Sequence, residues 1–349
     1  MTTPREDGFA MPPEWAPHGR CWLAWPARSD VWGAERLAAA RQVCADVARA
    51  IADFEPVTVV ARPQLTAEAS LQLGQGISVA PMAHDECWMR DTGPTFLTDG
   101  GSRLAGVDWR FNGWGERSPA WEQDAGLARA VLERIGAPRY EAPVVLEGGA
   151  FHVDGEGTCV VCAESLLDPR RNPGLGRAEM EAVLRDYLGV ETVIWLEAGL
   201  VDDPSGGHVD NLACFARPGV VLALVSRDPN DDNHPILEDN LARLRAATDA
   251  RGRTLEVLEV EQPARRTREE SGRRLPLSYI NFYLANGAVI APMFDDAKDK
   301  GARAAISTAF PDRQLVPIDA SDLVYGGGGI HCITQQQPAL APAPPPPTP

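Results

Sequence analysis

Near its C-terminal end the chain runs Gly326-Gly327-Gly328-Gly329-Ile330-His331-Cys332-Ile333-Thr334, a thiol at the mouth of a glycine-rich loop. Glycines let backbone approach a ligand closely and admit positive φ, and the short β-like run after them is expected to present Cys332. As a thiolate, such a cysteine is a nucleophile. On a strand His331 would face away from Cys332, so the thiol's base must come from elsewhere. A dinucleotide site does not fit, because those glycines open a helix and these lead into a strand.

The candidate base lies in Gly207-His208-Val209-Asp210-Asn211, ahead of an apolar run from Leu212 to Val225 broken only at Arg217-Pro218-Gly219. Read as a strand, the triplet puts His208 and Asp210 on one face. His152-Val153-Asp154 repeats it, but Asp154 precedes Gly155, a hairpin signal, so that copy is expected to cap a turn. Two more carboxylates sit beside glycines where apolar runs end, Asp91 in Trp88-Met89-Arg90-Asp91-Thr92-Gly93-Pro94 and Glu147 in Leu146-Glu147-Gly148-Gly149. Taken singly, Asp91 reads as well as a turn cap, and Glu147 as well as a surface charge, as either does as a functional carboxylate.

No metal site is expected. The six histidines are dispersed, and Cys159-Val160-Val161-Cys162 stands alone in an apolar strand whose alternation puts its two thiols on opposite faces of a core. P-loop and Gly-x-Ser-x-Gly signatures are absent.

To bring such distant residues together the chain must offer repeated scaffolding. Leu37, Val43, Cys44, Val47, Ile51 and Phe54 follow helical spacing and lead into a β-rich run from Val57 to Ala61. Similar helical patterns recur near Gln123 to Ile135, Arg177 to Leu188, Pro235 to Ala250 and Asp296 to Phe310, each followed by a strand candidate. Hairpin signals fall between them at Asp99-Gly100-Gly101, Asp154-Gly155, Pro218-Gly219 and Asn286-Gly287. Repeated hairpin-plus-helix units imply an α/β fold with a mixed sheet or a cyclic array of small units. No linker divides the chain, so residues 1–337 read as a single domain. Residues 338–349, dominated by proline, read as a disordered tail outside it.

Composition narrows the classes. With 44% hydrophobic residues the chain can bury a large core, yet no apolar run approaches the roughly 20 residues of a membrane span. Residues Met1 to Gly8 lack a secretory signal, and seven irregularly spaced cysteines suit reduced thiols, so the cytoplasm is expected. A formal charge of −16 disfavours nucleic acid and anionic membranes, and favours encounter with a cation.

Taken in order, these stretches resemble the agmatine deiminases of the guanidino-group-modifying superfamily. The resemblance is carried by Met11-Pro12-Pro13-Glu14-Trp15-Ala16-Pro17-His18, Trp22-Leu23-Ala24-Trp25-Pro26, Trp88–Pro94, Leu146–Gly149, His152–Thr158, Gly207–Asn211, Ser278–Tyr283 and Ile330–Pro338, through nearly the whole chain. It implies a five-bladed α/β propeller (the pentein fold) with its active site on the central axis, and no cofactor. By motif position it implies Cys332 as nucleophile, His208 as general acid and base, Glu147 as the carboxylate that orients or charges it, and Asp91 and Asp210 as the pair gripping a guanidinium. Two carboxylates can hold that planar cation edge-on and leave its carbon open to a thiol. The implied reaction turns agmatine into N-carbamoylputrescine and ammonia through an amidino-cysteine. Such packed acids repel, so at least one should have a raised pKa in the empty site.

Two departures from the family pattern stand out, the first bearing on the tail of the substrate and the second on a polar contact near the thiol. The loop Asp202-Asp203-Pro204-Ser205-Gly206-Gly207 carries Pro204 and an additional glycine, and Gly329 stands where an asparagine is more usual. Asp203, with Asp85 and Trp88 as wall residues, is the expected contact for the distal amine. A deiminase of arginine or peptidyl-arginine, an amidinotransferase and a non-catalytic polyamine binder are the competing readings. A homodimer is one assembly the sequence leaves open.

Overall fold

The computed structural model describes residues 2–340. The first sheet begins with β1 (His18–Ala24), β2 (Val57–Ala61) and β3 (Ser78–Pro81). The second holds β4 (Thr95–Thr98), β5 (Leu104–Arg110) and β6 (Arg139–Val145), and the third β7 (Phe151–Val153), β8 (Thr158–Cys162) and β9 (Thr192–Leu196). The fourth holds β10 (Ala213–Arg217), β11 (Val220–Val225) and β12 (Glu256–Glu261), and the fifth β13 (Tyr283–Ala285), β14 (Ala288–Met293) and β15 (Gln314–Asp319). Finally β16 (Thr334–Pro338) returns to the first sheet and pairs antiparallel with β1, so the two ends of the fold share one sheet.

Sheets two to five repeat one plan: an antiparallel hairpin, a helix, then a strand parallel to the second hairpin strand. The crossover helices are Leu127–Ile135, Arg177–Leu188, His234–Ala246 and Asp299–Ala309, with Ala34–Ala52 taking that place in the first sheet. All four expected hairpin turns form. Asp154 caps its turn as expected, its Oδ1 accepting from the N–H groups of Glu156 and Thr158 at 2.8 Å each. The first sheet has no turn to read because its antiparallel pair, β1 and β16, comes from opposite ends of the chain.

The helices form because their apolar residues recur at helical spacing. Leu37, Ala40, Val43, Cys44, Val47, Ala48 and Ile51 bury one face of Ala34–Ala52 against the first sheet. The middle strands β8, β11 and β14 are buried along their whole length, as continuous apolar runs demand when both faces are covered. Cys159 and Cys162 lie in separate core clusters, on opposite faces of β8.

The tail boundary moves. Pro338 pairs with His18 at the end of β16, and the Ala339 N–H donates to the Pro17 carbonyl at 2.8 Å, so the strand register outlasts the proline signal. The rest of the expected tail, 341–349, lies outside the described residues.

Just before the first strand of each antiparallel pair runs a short irregular segment, and these five segments meet. The Gly149 N–H donates to Asp91 Oδ1 at 3.0 Å, tying the segment before β7 to the one before β4. Gly149 also packs against His208 and Asp210, from the segment before β10. Asn281 Nδ2, before β13, donates to Asn211 Oδ1 at 3.0 Å and to Cys332 Sγ at 3.3 Å. The Arg90 N–H donates to the Cys332 carbonyl at 3.0 Å and closes the ring. Five repeated units thus deliver five loops to one centre, as the propeller expectation requires.

Candidate active site

Cys332 and His208 line one cleft, together with Trp88, Asp91, Trp114, Pro204, Ser205, Asn211 and Gly326 to Gly328. Neither residue sits in a strand. Val209–Asn211 is a single 3-10 turn ahead of β10, and Cys332 lies in a turn ahead of β16. The strand reading is corrected on this point: alternation marks where an apolar run is, but not where its first ladder hydrogen bond falls. The glycine loop does serve close approach. A side chain at Gly328 would collide with Trp88 and with the Cys332 Cβ, and one at Gly329 with Asn281.

Each acidic group has a distinct environment. Asp91 accepts from Gly149 N–H at 3.0 Å and from the Trp114 indole at 2.9 Å. Burial raises its pKa, and Asp210 and Glu147 add to that while His208 opposes, which is the like-charge crowding expected of the empty site. Asp210 Oδ2 accepts from His331 Nδ1 at 2.9 Å and faces the Cys332 thiol at 3.5 Å, while its Oδ1 has no hydrogen-bond partner among the described residues. Burial disfavours the Asp210 anion, but the His331 contact outweighs it and lowers the pKa. Glu147, fully buried, accepts from Arg171 Nε at 2.9 and 3.0 Å; burial again opposes the anion, and Arg171 and His208 bring its pKa down to about 2.

His208 lies between them, Nδ1 at 3.7 Å from Asp91 and Nε2 at 3.5 Å from Glu147. Nε2 lacks the alignment of a hydrogen bond, so the attraction is chiefly ionic. Burial works against its charge, yet Asp91 and Glu147 lift its pKa to about 9. For Cys332 the balance is reversed. Burial first, then Asp210 and Asp91, push the thiol well above its ordinary value. The empty site therefore holds an imidazolium and a neutral thiol at pH 7.

The family model for Porphyromonas-type peptidyl-arginine deiminase matches residues 10–338. The chain belongs to that family. A relative from Streptomyces avermitilis is 49% identical over 97% of this chain and 99% of its own length. The agmatine deiminase of Ectopseudomonas mendocina is 44% identical, covering 97% of this chain and 98% of its own. The solved agmatine deiminase of Enterococcus faecalis superposes with a TM-score of 0.93 at 37% identity, covering 97% and 98% of the two chains.

Within this Porphyromonas-type deiminase framework, two expected site residues fall elsewhere. Asp203 does not line the cleft: its Oδ1 accepts from the Ser205 N–H at 2.9 Å and hydroxyl at 2.7 Å, and its Oδ2 from the Gly207 N–H at 3.3 Å. It holds its own loop in shape. Asp85 is spent on Gln123, accepting from its N–H at 2.9 Å and its amide at 3.2 Å, and lies 3.6 Å from Arg62. Trp88 does line the cleft and stacks on Trp32 with centroids 6.0 Å apart.

Five contributors went unassigned in the sequence. Asn281 touches the Cys332 sulfur, Trp114 and Arg171 hold Asp91 and Glu147, and His331 with Glu14 holds Asp210 from behind. Asn281 had a signal: it precedes the first strand of its hairpin, as Asp91, Glu147 and Asp210 precede theirs. Trp114 had none, sitting in a loop with φ 60° and ψ 43°, a left-handed conformation costly for a bulky residue. Among the described residues no helix is long and apolar enough to cross a membrane, and no cluster of side chains could hold a metal ion.

Proposed function

We propose that this chain hydrolyses the guanidinium of agmatine to N-carbamoylputrescine and ammonia, with Cys332 as nucleophile. One observation carries the reading. The Cys332 sulfur lies beside Asp210 in the same cleft as His208 and Asp91, with one Asp210 oxygen unpartnered for an incoming N–H. Asp91 and Asp210 grip the guanidinium edge-on, and its tail runs outward along Trp88 and Trp114, whose faces attract an ammonium.

Arrival of the cation offsets the carboxylate field that keeps Cys332 protonated, so substrate arms the nucleophile. Sulfur adds to the guanidinium carbon. With the thiol's proton released to solvent as the cation binds, His208, already an imidazolium, gives its proton to the departing nitrogen and becomes neutral, and ammonia leaves behind an amidino-thioether. Neutral His208 then takes a proton from water, which attacks the same carbon, frees the thiol and yields the urea. Glu147, neutralised on its other side by Arg171, keeps the imidazole charged and in place.

Mass spectrometry of protein mixed with agmatine tests this. A mass increase on the Cys332 peptide with appearance of N-carbamoylputrescine is expected, and neither in Cys332→Ala. Turnover surviving in that variant would end the reading.

A further inference from the structure

Polar groups in the cleft are concentrated at its floor. The rest of the lining is Trp88, Trp114, Pro204, Ser205 and Gly326 to Gly328, and among the described residues that line the cleft Asp91 is the one carboxylate. Acids near the mouth are already engaged. Asp203 is captured by its own loop, Asp202 accepts from the Arg274 N–H at 2.8 Å and lies 3.5 Å from Arg273, and Glu270 accepts from the Tyr325 hydroxyl and from Arg36 at 3.2 Å.

Arg268 is different. Its Nη2 lies 3.8 Å from where a side chain on Gly327 would begin, and it lines with Pro204 the cavity adjoining the cleft. Its guanidinium sits 5.2 Å from the Tyr325 ring centroid, and among the described residues it has no carboxylate at ion-pair distance. Other cations nearby are paired: Arg117 faces Asp168 at 3.3 Å, Arg273 faces Asp202 at 3.5 Å and Arg274 faces Asp231 at 2.6 Å. Half-burial disfavours the Arg268 charge, a penalty that an anionic neighbour would offset. A side chain on Gly328 would meet the Cys332 Cβ at 3.0 Å and one on its neighbour Gly327 the Arg268 Nη2 at 3.8 Å, so nucleophile and cation border the same short stretch of loop, within the span of one short guanidino chain.

We infer that the cleft also takes linear ω-guanidino carboxylic acids, with the guanidinium at Cys332 and the carboxylate turned to Arg268 at the mouth. The inference rests on the deiminase reading and extends its substrate class. The reaction is the same hydrolysis: sulfur displaces ammonia, water displaces sulfur, and the product is the ω-ureido acid. An arginine–carboxylate contact has the planar geometry for two parallel hydrogen bonds, a selectivity that a surface lysine would not match.

The test is steady-state ammonia release from 4-guanidinobutanoate and from agmatine by wild type, Arg268→Gln and Arg268→Lys. Wild type should turn over 4-guanidinobutanoate, and Arg268→Gln should lower its kcat/KM relative to agmatine's by about tenfold or more, the effect of losing one charge-assisted contact. Arg268→Lys should recover part of that ratio, which separates loss of charge from loss of folding. No turnover of the acid by wild type, or a ratio unmoved by Arg268→Gln, overturns the inference while leaving agmatine hydrolysis intact. Absence of any adduct on Cys332 with either compound defeats the deiminase reading itself.

Discussion

His331 lies 2.9 Å from Asp210 Oδ2 through Nδ1, while the other oxygen of that carboxylate has no partner among the described residues. Its Nε2 faces Glu14 at 2.9 and 3.1 Å. An imidazole with a carboxylate at each nitrogen holds both protons, and although burial and Arg90 oppose the charge, Glu14 and Asp210 raise its pKa. Asp210 is thereby kept anionic and aimed.

Glu14 therefore matters to a site it never touches. It receives Arg90 at 3.3 Å as well as His331, and His152 lies 3.5 Å away. In Glu14→Gln, His331 loses the partner that keeps it charged, and the Asp210 contact weakens from a charge-assisted to a neutral one. KM for agmatine should rise roughly tenfold, for about 1.5 kcal/mol of lost interaction, with a smaller change in kcat. Kinetics alongside a thermal melt decide it: an unchanged KM in a folded variant would show that Asp210 needs no support from behind.

The Cys332 thiol should be sluggish in the free protein. Burial, Asp210 and Asp91 all raise its pKa, so alkylation by iodoacetamide at pH 8 should run about tenfold or more below that of an ordinary free thiol. Asp91→Asn removes one of those negative charges and should accelerate the same alkylation. Peptide mapping isolates Cys332 from the other cysteines, all buried. Rapid labelling of wild type, or slower labelling in Asp91→Asn, contradicts the electrostatic account.

The proportion of this legible beforehand differs from residue to residue. Cys332, His208, Asp91 and Glu147, which the structure brings close together, could be singled out because each lies within three residues of a glycine, where backbone gives way to a cavity. The five units were legible because Asp-Gly and Asn-Gly turns alternate with helical spacing. Asp203 misled: an acid in a departing loop looks available, but Gly206 and Gly207, at φ 77° and 98°, curl the loop until its own N–H groups take the carboxylate. Glu14 could not be seen at all, since 317 residues separate it from His331 and nothing local marks the pairing.

His208 and Glu147 give stability opposite pH limits. The His208 pKa is raised from 6.5 to about 9, so the stability its cation contributes is complete below 6.5 and lost as pH rises through 9. The Glu147 pKa is lowered from 4.5 to about 2, so its contribution is complete above 4.5 and lost as pH falls through 2. Wild type should exceed His208→Gln in melting temperature by most near pH 6. That advantage should shrink by pH 10 by on the order of 3 kcal/mol. A difference constant over that range would mean that His208 carries no charge in the folded protein.

Gly149 offers the sharpest separation of site from fold. A Cβ there would lie 2.6 Å from His208 Nδ1, 2.9 Å from Asp210 Oδ2 and 3.0 Å from Asp91 Oδ1, the three groups proposed above to act on the guanidinium. Its φ is not in the left-handed region, so alanine suits the backbone, and the conflict is with side chains alone. Those side chains can yield, at about 1–3 kcal/mol of overpacking, but only by leaving the positions that grip the substrate. Gly148 differs, because a Cβ there meets the Arg90 carbonyl, which is backbone and cannot swing away. Gly149→Ala should remain folded and lose about a hundredfold in kcat/KM, as small misplacements do, whereas Gly148→Ala should lose stability first. Calorimetry and ammonia release on both variants give the answer: near-normal activity in Gly149→Ala would mean that the acids and the imidazole are not held as closely around this glycine as the geometry has them.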